Sequence, residues 1–178
     1  FLKRWRRFAP KIAGEVEHDV PIARPSKILA IGRNFADHAR ELGNETEAEP
    51  VFFAKLPESM VAHGAPIRIP RGAGRVDHEA ELALVIARDA RRIGEAKAFS
   101  YVAGYTCMND VTAREQQAGD KKKGHPWLRA KSFDTFCPVG PYFVPVDDVL
   151  DPLERALVGL GDQAHLDEPQ VRVGVDEP

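Results

Sequence analysis

The chain is short of most features that would assign it quickly. Cysteine occurs twice, at Cys107 and Cys137, too sparsely for a zinc-type cluster, a redox pair or a disulfide framework. Both are expected to be reduced thiols, buried or half buried. No apolar run approaches the ~20 residues that span a bilayer, and no secretory leader precedes the fold, so a cytoplasmic protein is the expected class. Charge of one sign is missing too. The 25 Lys and Arg against 27 Asp and Glu leave a formal net charge of −2, which argues against a nucleic-acid binder. The basic stretches F-L-K-R-W-R-R at 1–7 and K-K-K at 121–123 are too short for such a surface, and the first reads as a solvated edge. Internal repeats are absent as well.

A length of 178 residues suits one domain with a small appendage. Residues 1–25 are punctuated by Pro10, Gly14, Pro21 and Pro25 and are expected to form an N-terminal arm or minor subdomain, with the main domain at 26–178. Short strands are expected at 27–32, 51–56, 66–70, 79–86, 100–109 and 136–146, with a late one at Val171–Val175. Helical spacing appears at 35–42, stopped by Gly43, and at 110–118, stopped by Gly119, leaving 119–129 as a charged loop. This pattern predicts a mixed, mostly β fold with a few short helices rather than regular βαβ alternation.

What is present in abundance is acid at the mouth of one apolar strand. V-D-H-E-A-E-L-A-L-V-I, residues 76–86, places Glu79 and Glu81 two apart, hence on one face, with Ala83 and Val85 continuing it. Two such carboxylates repel unless a cation sits between them; the competing reading is a solvated strand end with paired acids. Asp110 follows the strand-like Y-T-C-M-N and is expected to open a helix, with Asn109, Asp110 or Thr112 as N-cap and Thr112 with Glu115 as a capping box. Two Glu and one Asp form an oxygen-rich set that favours Mg²⁺ or Mn²⁺ over zinc. A second constellation lies in R-N-F-A-D-H-A-R-E-L, where His38 and Glu41 share a helical face. Glu41 can orient the ring while its other nitrogen takes a proton from water. An ordinary surface helix remains the competing reading there.

Together the blocks I-G-R-N-F-A-D-H-A-R-E-L, G-N-E-x(5)-P-V-F-F-A-K, V-D-H-E-A-E-L-A-L-V-I, G-Y-T-C-M-N-D-V-T-A-R-E and R-A-K-S-F-D-T-F-C-P-V-G-P resemble the fumarylacetoacetate hydrolase family over roughly residues 25–146. The resemblance implies a twisted β roll, usually a homodimer. It implies a divalent metal on Glu79, Glu81 and Asp110, and Lys131 reaching the substrate. It also implies a catalytic dyad of His38 and Glu41, Arg33 and Asn34 close to that dyad, and Lys55 lining the cavity. The implied activity is metal-dependent hydrolysis of a carbon–carbon bond in an acylpyruvate or related 2,4-dioxo acid. Isomerisation of unsaturated 2-hydroxy diacids, decarboxylation of oxaloacetate and an inactive structural remnant are the alternatives. The likeness fails on the C-terminal side: no T-G-T-P-like block follows, so the catalytic domain is expected to be incomplete there.

Overall fold

A computed structural model describes residues 17, 19–32 and 50–149, together with the backbone of 173–175. The expected helix at 35–42 and most of the N-terminal arm lie outside the described residues. The described strands are β1 (Ile28–Gly32), β2 (Val51–Lys55), β3 (Met60–Ala62), β4 (Ile67–Ile69), β5 (Val76–Asp77), β6 (Ala80–Ile86), β7 (Val102–Asn109), β8 (Thr112–Ala113), β9 (Cys137–Val139), β10 (Val144–Pro145) and β11 (Val173–Val175). Two α-helices stand among them, α1 (Arg114–Lys123) and α2 (Leu128–Lys131). The mostly β expectation therefore holds.

Strand β7 is the hub. β6 runs antiparallel along it from Ala80↔Asn109 to Ile86↔Val102, with an irregularity between Val85 and Ile86. β9 and β10 also pair antiparallel with β7, and β3 joins β9 in parallel. Smaller ladders link β1 with β2, β5 with β8, and β4 with β11. Gly104 allows β10 to approach closely: a Cβ there would lie 2.6 Å from the Phe143 ring and meet the Val144 carbonyl. Alternation puts Glu81, Ala83 and Val85 on one face of β6, whereas Leu84 and Ile86 on the other are exposed.

Among the described residues the core has two clusters. Ala73, Val111, Ala113 and Phe136 form one, packed by Ile67, Ile69, Val76 and Phe133. Met60, Cys137 and Val139 form the other, packed by Val20, Ile22, Ile28 and Met108. Consecutive residues Phe136 and Cys137 join them, and Val111 donates its N–H to the Phe136 carbonyl at 3.2 Å.

Three expectations are corrected here. Asp110 does not open a helix, because Thr112 and Ala113 pair with Asp77 and Val76 as β8. The helix starts only at Arg114, its N-cap is Ala113 with no side-chain cap, and no capping box forms. Gly119 does not end it either. The helix continues through Lys123 to Gly124, whose left-handed φ of 67° closes it, so half of the expected 119–129 loop is helical. Cys107 is exposed rather than buried or half buried, while Cys137 is buried. Among the described residues no helix is long and apolar enough to cross a membrane.

Candidate active site

The site gathers where β7 ends and β6 begins. Asn109 and Asp110 grip the main chain of Glu79 from both sides: Glu79 N–H donates to Asn109 Oδ1 at 3.0 Å, and Asp110 N–H donates to the Glu79 carbonyl at 2.8 Å. This double tie sets two acids from distant segments beside each other. Thr112 Oγ1 lies 3.1 Å from Glu79 Oε2 and 2.8 Å from the Asp110 main-chain oxygen, so its hydroxyl donates to one or the other.

Lys131, at the end of α2, brings its ammonium onto both Glu79 Oε2 and Asp110 Oδ2. Its side chain is buried, and the ammonium also stands over the Phe53 ring, 4.8 Å from the centroid. Asp110 is equally buried, and its second oxygen, Oδ1, accepts from Lys55 Nζ at 2.7 Å. Lys55 is not on an open wall: it is among the largest fully buried side chains, and it donates as well to the Lys131 carbonyl. Burial lowers the Lys55 pKa, and its bond to Asp110 opposes that fall.

Arg114 is the site residue that the sequence reading missed. Its guanidinium bridges Glu79 Oε1 at 2.5 Å and Asp77 Oδ2 at 2.8 Å. Neither partner is a helical neighbour; Asp77 ends β5 and Glu79 lies between β5 and β6, some 35 residues earlier, so only the β5–β8 pairing reveals the contact. The one available signal was an arginine directly after the D-V-T-A stretch, on the same short segment as Asp110.

Burial would raise the Glu79 pKa, but the Lys131 ammonium and then Arg114 overcome it and hold the carboxyl at about 2. Glu81 goes the other way. Burial, then the Asp110 and Glu79 carboxylates, push it up to about 7, with Lys131 partly opposing.

Among the described residues, no three His, Cys, Asp or Glu side chains stand close enough to hold an ion as they stand. The Lys131 ammonium occupies the place between Glu79 and Asp110 instead. The donor set still fits a hard divalent cation in its chemistry: three carboxylates, all oxygen, with Glu81 driven towards protonation by burial and then by its two acidic neighbours. Arg33, Asn34, His38 and Glu41 lie outside the described residues.

Comparison with known proteins identifies relatives of the chain. Residues 27–171 match the family described as "Fumarylacetoacetate (FAA) hydrolase C-terminal". The chain is 46% identical over 132 residues to a mitochondrial oxaloacetate tautomerase of Xenopus laevis, covering 74% of this chain and 41% of that protein. It is 46% identical over 126 residues to a mitochondrial oxaloacetate decarboxylase of Dictyostelium discoideum, covering 70% and 57%. Among solved structures, the 5-carboxymethyl-2-hydroxymuconate delta-isomerase of Mycobacterium smegmatis superposes with a TM-score of 0.63 at 41% identity, over 76% of this chain and 51% of that one. The chain spans about half the length of the curated relatives it matches.

Proposed function

Because the chain belongs to the fumarylacetoacetate hydrolase family, we propose that it acts on a 2-oxo diacid through its enolate, as a tautomerase, isomerase or decarboxylase. Members of the family are enzymes and generally use divalent metals. The relatives' names support this reading better than acylpyruvate hydrolysis, the leading expectation from the sequence. The observation that carries it is the buried Lys131 ammonium, held on Glu79 and Asp110 over the ring of Phe53.

Tautomerisation of oxaloacetate moves a proton between C3 and the 2-oxo oxygen. Decarboxylation breaks the C3–C4 bond, releases carbon dioxide and leaves the electron pair on C3. Both reactions build negative charge on the 2-oxo oxygen. A desolvated ammonium facing that oxygen stabilises the charge far better than it would in water. Glu79 and Asp110 aim the ammonium, and Arg114 holds Glu79 in place. Glu79, Glu81 and Asp110 are the residues that would hold Mg²⁺ or Mn²⁺, which when bound supplies Lewis-acid stabilisation of the same charge. Neither reaction requires a water nucleophile at the scissile bond.

The test is a panel of oxaloacetate, acetylpyruvate and fumarylpyruvate with Mg²⁺, with Mn²⁺ and with EDTA. Enol–keto conversion or carbon dioxide release from oxaloacetate, lost in EDTA, is the expected outcome. Efficient acylpyruvate cleavage with no action on oxaloacetate would overturn the proposal and return the assignment to hydrolysis, with His38 and Glu41 as its base. The working unit in this reading is a homodimer, to be checked by sedimentation at micromolar protein.

A further inference from the structure

Lys55 was expected at the cavity wall, in contact with substrate. Its surroundings point elsewhere. The side chain is 0% exposed. An ammonium has three N–H donors, and three acceptors surround this one: Asp110 Oδ1 at 2.7 Å, the Val111 carbonyl at 3.5 Å and the Lys131 carbonyl. No donor remains for a ligand. All three acceptors belong to residues at, or next to, the candidate catalytic groups.

Strand geometry explains how one segment does this. Phe53 and Lys55 are two apart on β2 and share a face. Phe53 lies against the Lys131 ammonium, and Lys55 bonds the Lys131 main chain. Two lysines therefore divide one carboxylate. Lys55 takes Oδ1 from the side of the main-chain carbonyls, and Lys131 takes Oδ2 from the side of Glu79.

We propose that Lys55 is a positioning residue: it permanently occupies one oxygen of Asp110, so that Asp110 offers a single oxygen to the cation of the site, and it anchors the main chain that carries Lys131. The proposal rests on the reading of Asp110 as a cation ligand. It separates Lys55 from a substrate contact, which would govern KM, and from a plain packing residue, whose loss would weaken every property together.

The experiment compares the wild-type chain with Lys55→Met, using Mn²⁺ alone as the binding probe, followed by electron paramagnetic resonance, and oxaloacetate turnover as the second readout. Deleting a like charge and releasing Asp110 Oδ1 should tighten Mn²⁺ binding by about fivefold. Loss of the anchor on Lys131 should lower kcat by about tenfold with KM little changed. These opposed movements are what a packing role does not produce. A folded Lys55→Met variant with unchanged or weaker Mn²⁺ affinity, or with a raised KM and unchanged kcat, overturns the proposal alone. A wild-type chain that takes up no Mn²⁺ overturns the ligand reading and the proposal with it. Lysine acetylation of the wild-type protein, read by mass spectrometry, gives an answer even where the variant does not fold. Lys55 should stay unlabelled with and without oxaloacetate, whereas labelling that oxaloacetate suppresses would make it a substrate contact and sink the idea.

Discussion

Lys131 binds Glu79 and Asp110 at once, so its removal has two separable effects. Lys131→Met should cut turnover by about a hundredfold or more, since one preorganised charge at a developing oxyanion contributes that much. It should also leave the buried Asp110 and the half-buried Glu79 each one partner short and lower metal-free stability by about 3 kcal/mol. Steady-state kinetics and urea titration measure the two separately. Glu81 provides a pH test. Its folded pKa is raised from 4.5 to about 7, so its stabilising contribution is complete below 4.5 and is lost as pH rises through 7. Metal-free protein should therefore lose up to about 3 kcal/mol across that window, and Glu81→Gln should flatten the slope. Glu79, held at about 2, has the opposite sign: its contribution is present above 4.5 and disappears as pH falls towards 2. The thiols should separate as well. Burial pushes Cys137 up to about 11, so in native protein at pH 8 only Cys107 should react with a thiol reagent, and Cys137 only on unfolding. That Glu79 and Asp110 lie together was legible from a strand's mouth facing a strand's end, but Glu79 stands just ahead of β6 and is placed by its ties to Asn109 and Asp110 rather than by alternation. Lys131 was legible only by resemblance, for nothing in its local spacing tells a catalytic ammonium from a surface one. Arg114 was illegible because its partners are set by a long-range strand pairing.

At the scale of elements, the segment from Val102 to Lys123 contains the main success and the main error of sequence reading. The apolar run of β6 and the mixed run of β7 announced themselves by composition. The helix was placed four residues early, since Asp110–Ala113 has helix-starting residue types and only its pairing with β5 draws it into extended backbone. Tertiary pairing overrode local preference there. Similarly, Gly119 is a poor stop signal because the helix has a better one in Gly124, which adopts the left-handed conformation. The contact between β7 and β10 makes a sharper prediction. Gly104→Ala inserts a methyl group against Phe143 and the Val144 main chain, and should destabilise the fold by about 1–3 kcal/mol through overpacking. The urea midpoint should fall while the m-value stays constant.

On the scale of the whole molecule, the ties that the two lysines make cross long stretches of chain. Lys55 and Asp110 are 55 residues apart, Lys131 and Glu79 are 52 apart, and the bond from Lys55 to the Lys131 carbonyl spans 76. The set is complete only once β2, the β6–β7 pair and α2 have met, and each tie demands that charged groups give up water first. Such contacts are expected to form in the last part of folding, after the rate-limiting barrier. The kinetic consequence is one-sided. Lys131→Met should steepen the escape from the native state, raising the unfolding rate with the refolding limb of the chevron nearly unchanged. A refolding limb that slows in proportion to the lost stability would instead mean that the charged cluster is already assembled at the barrier. On the ribosome, the same separation means that Asp110 and Glu79 emerge before Lys131, so a nascent chain stopped short of Lys131 has only Lys55 and Arg114 to balance its acidic strand mouth.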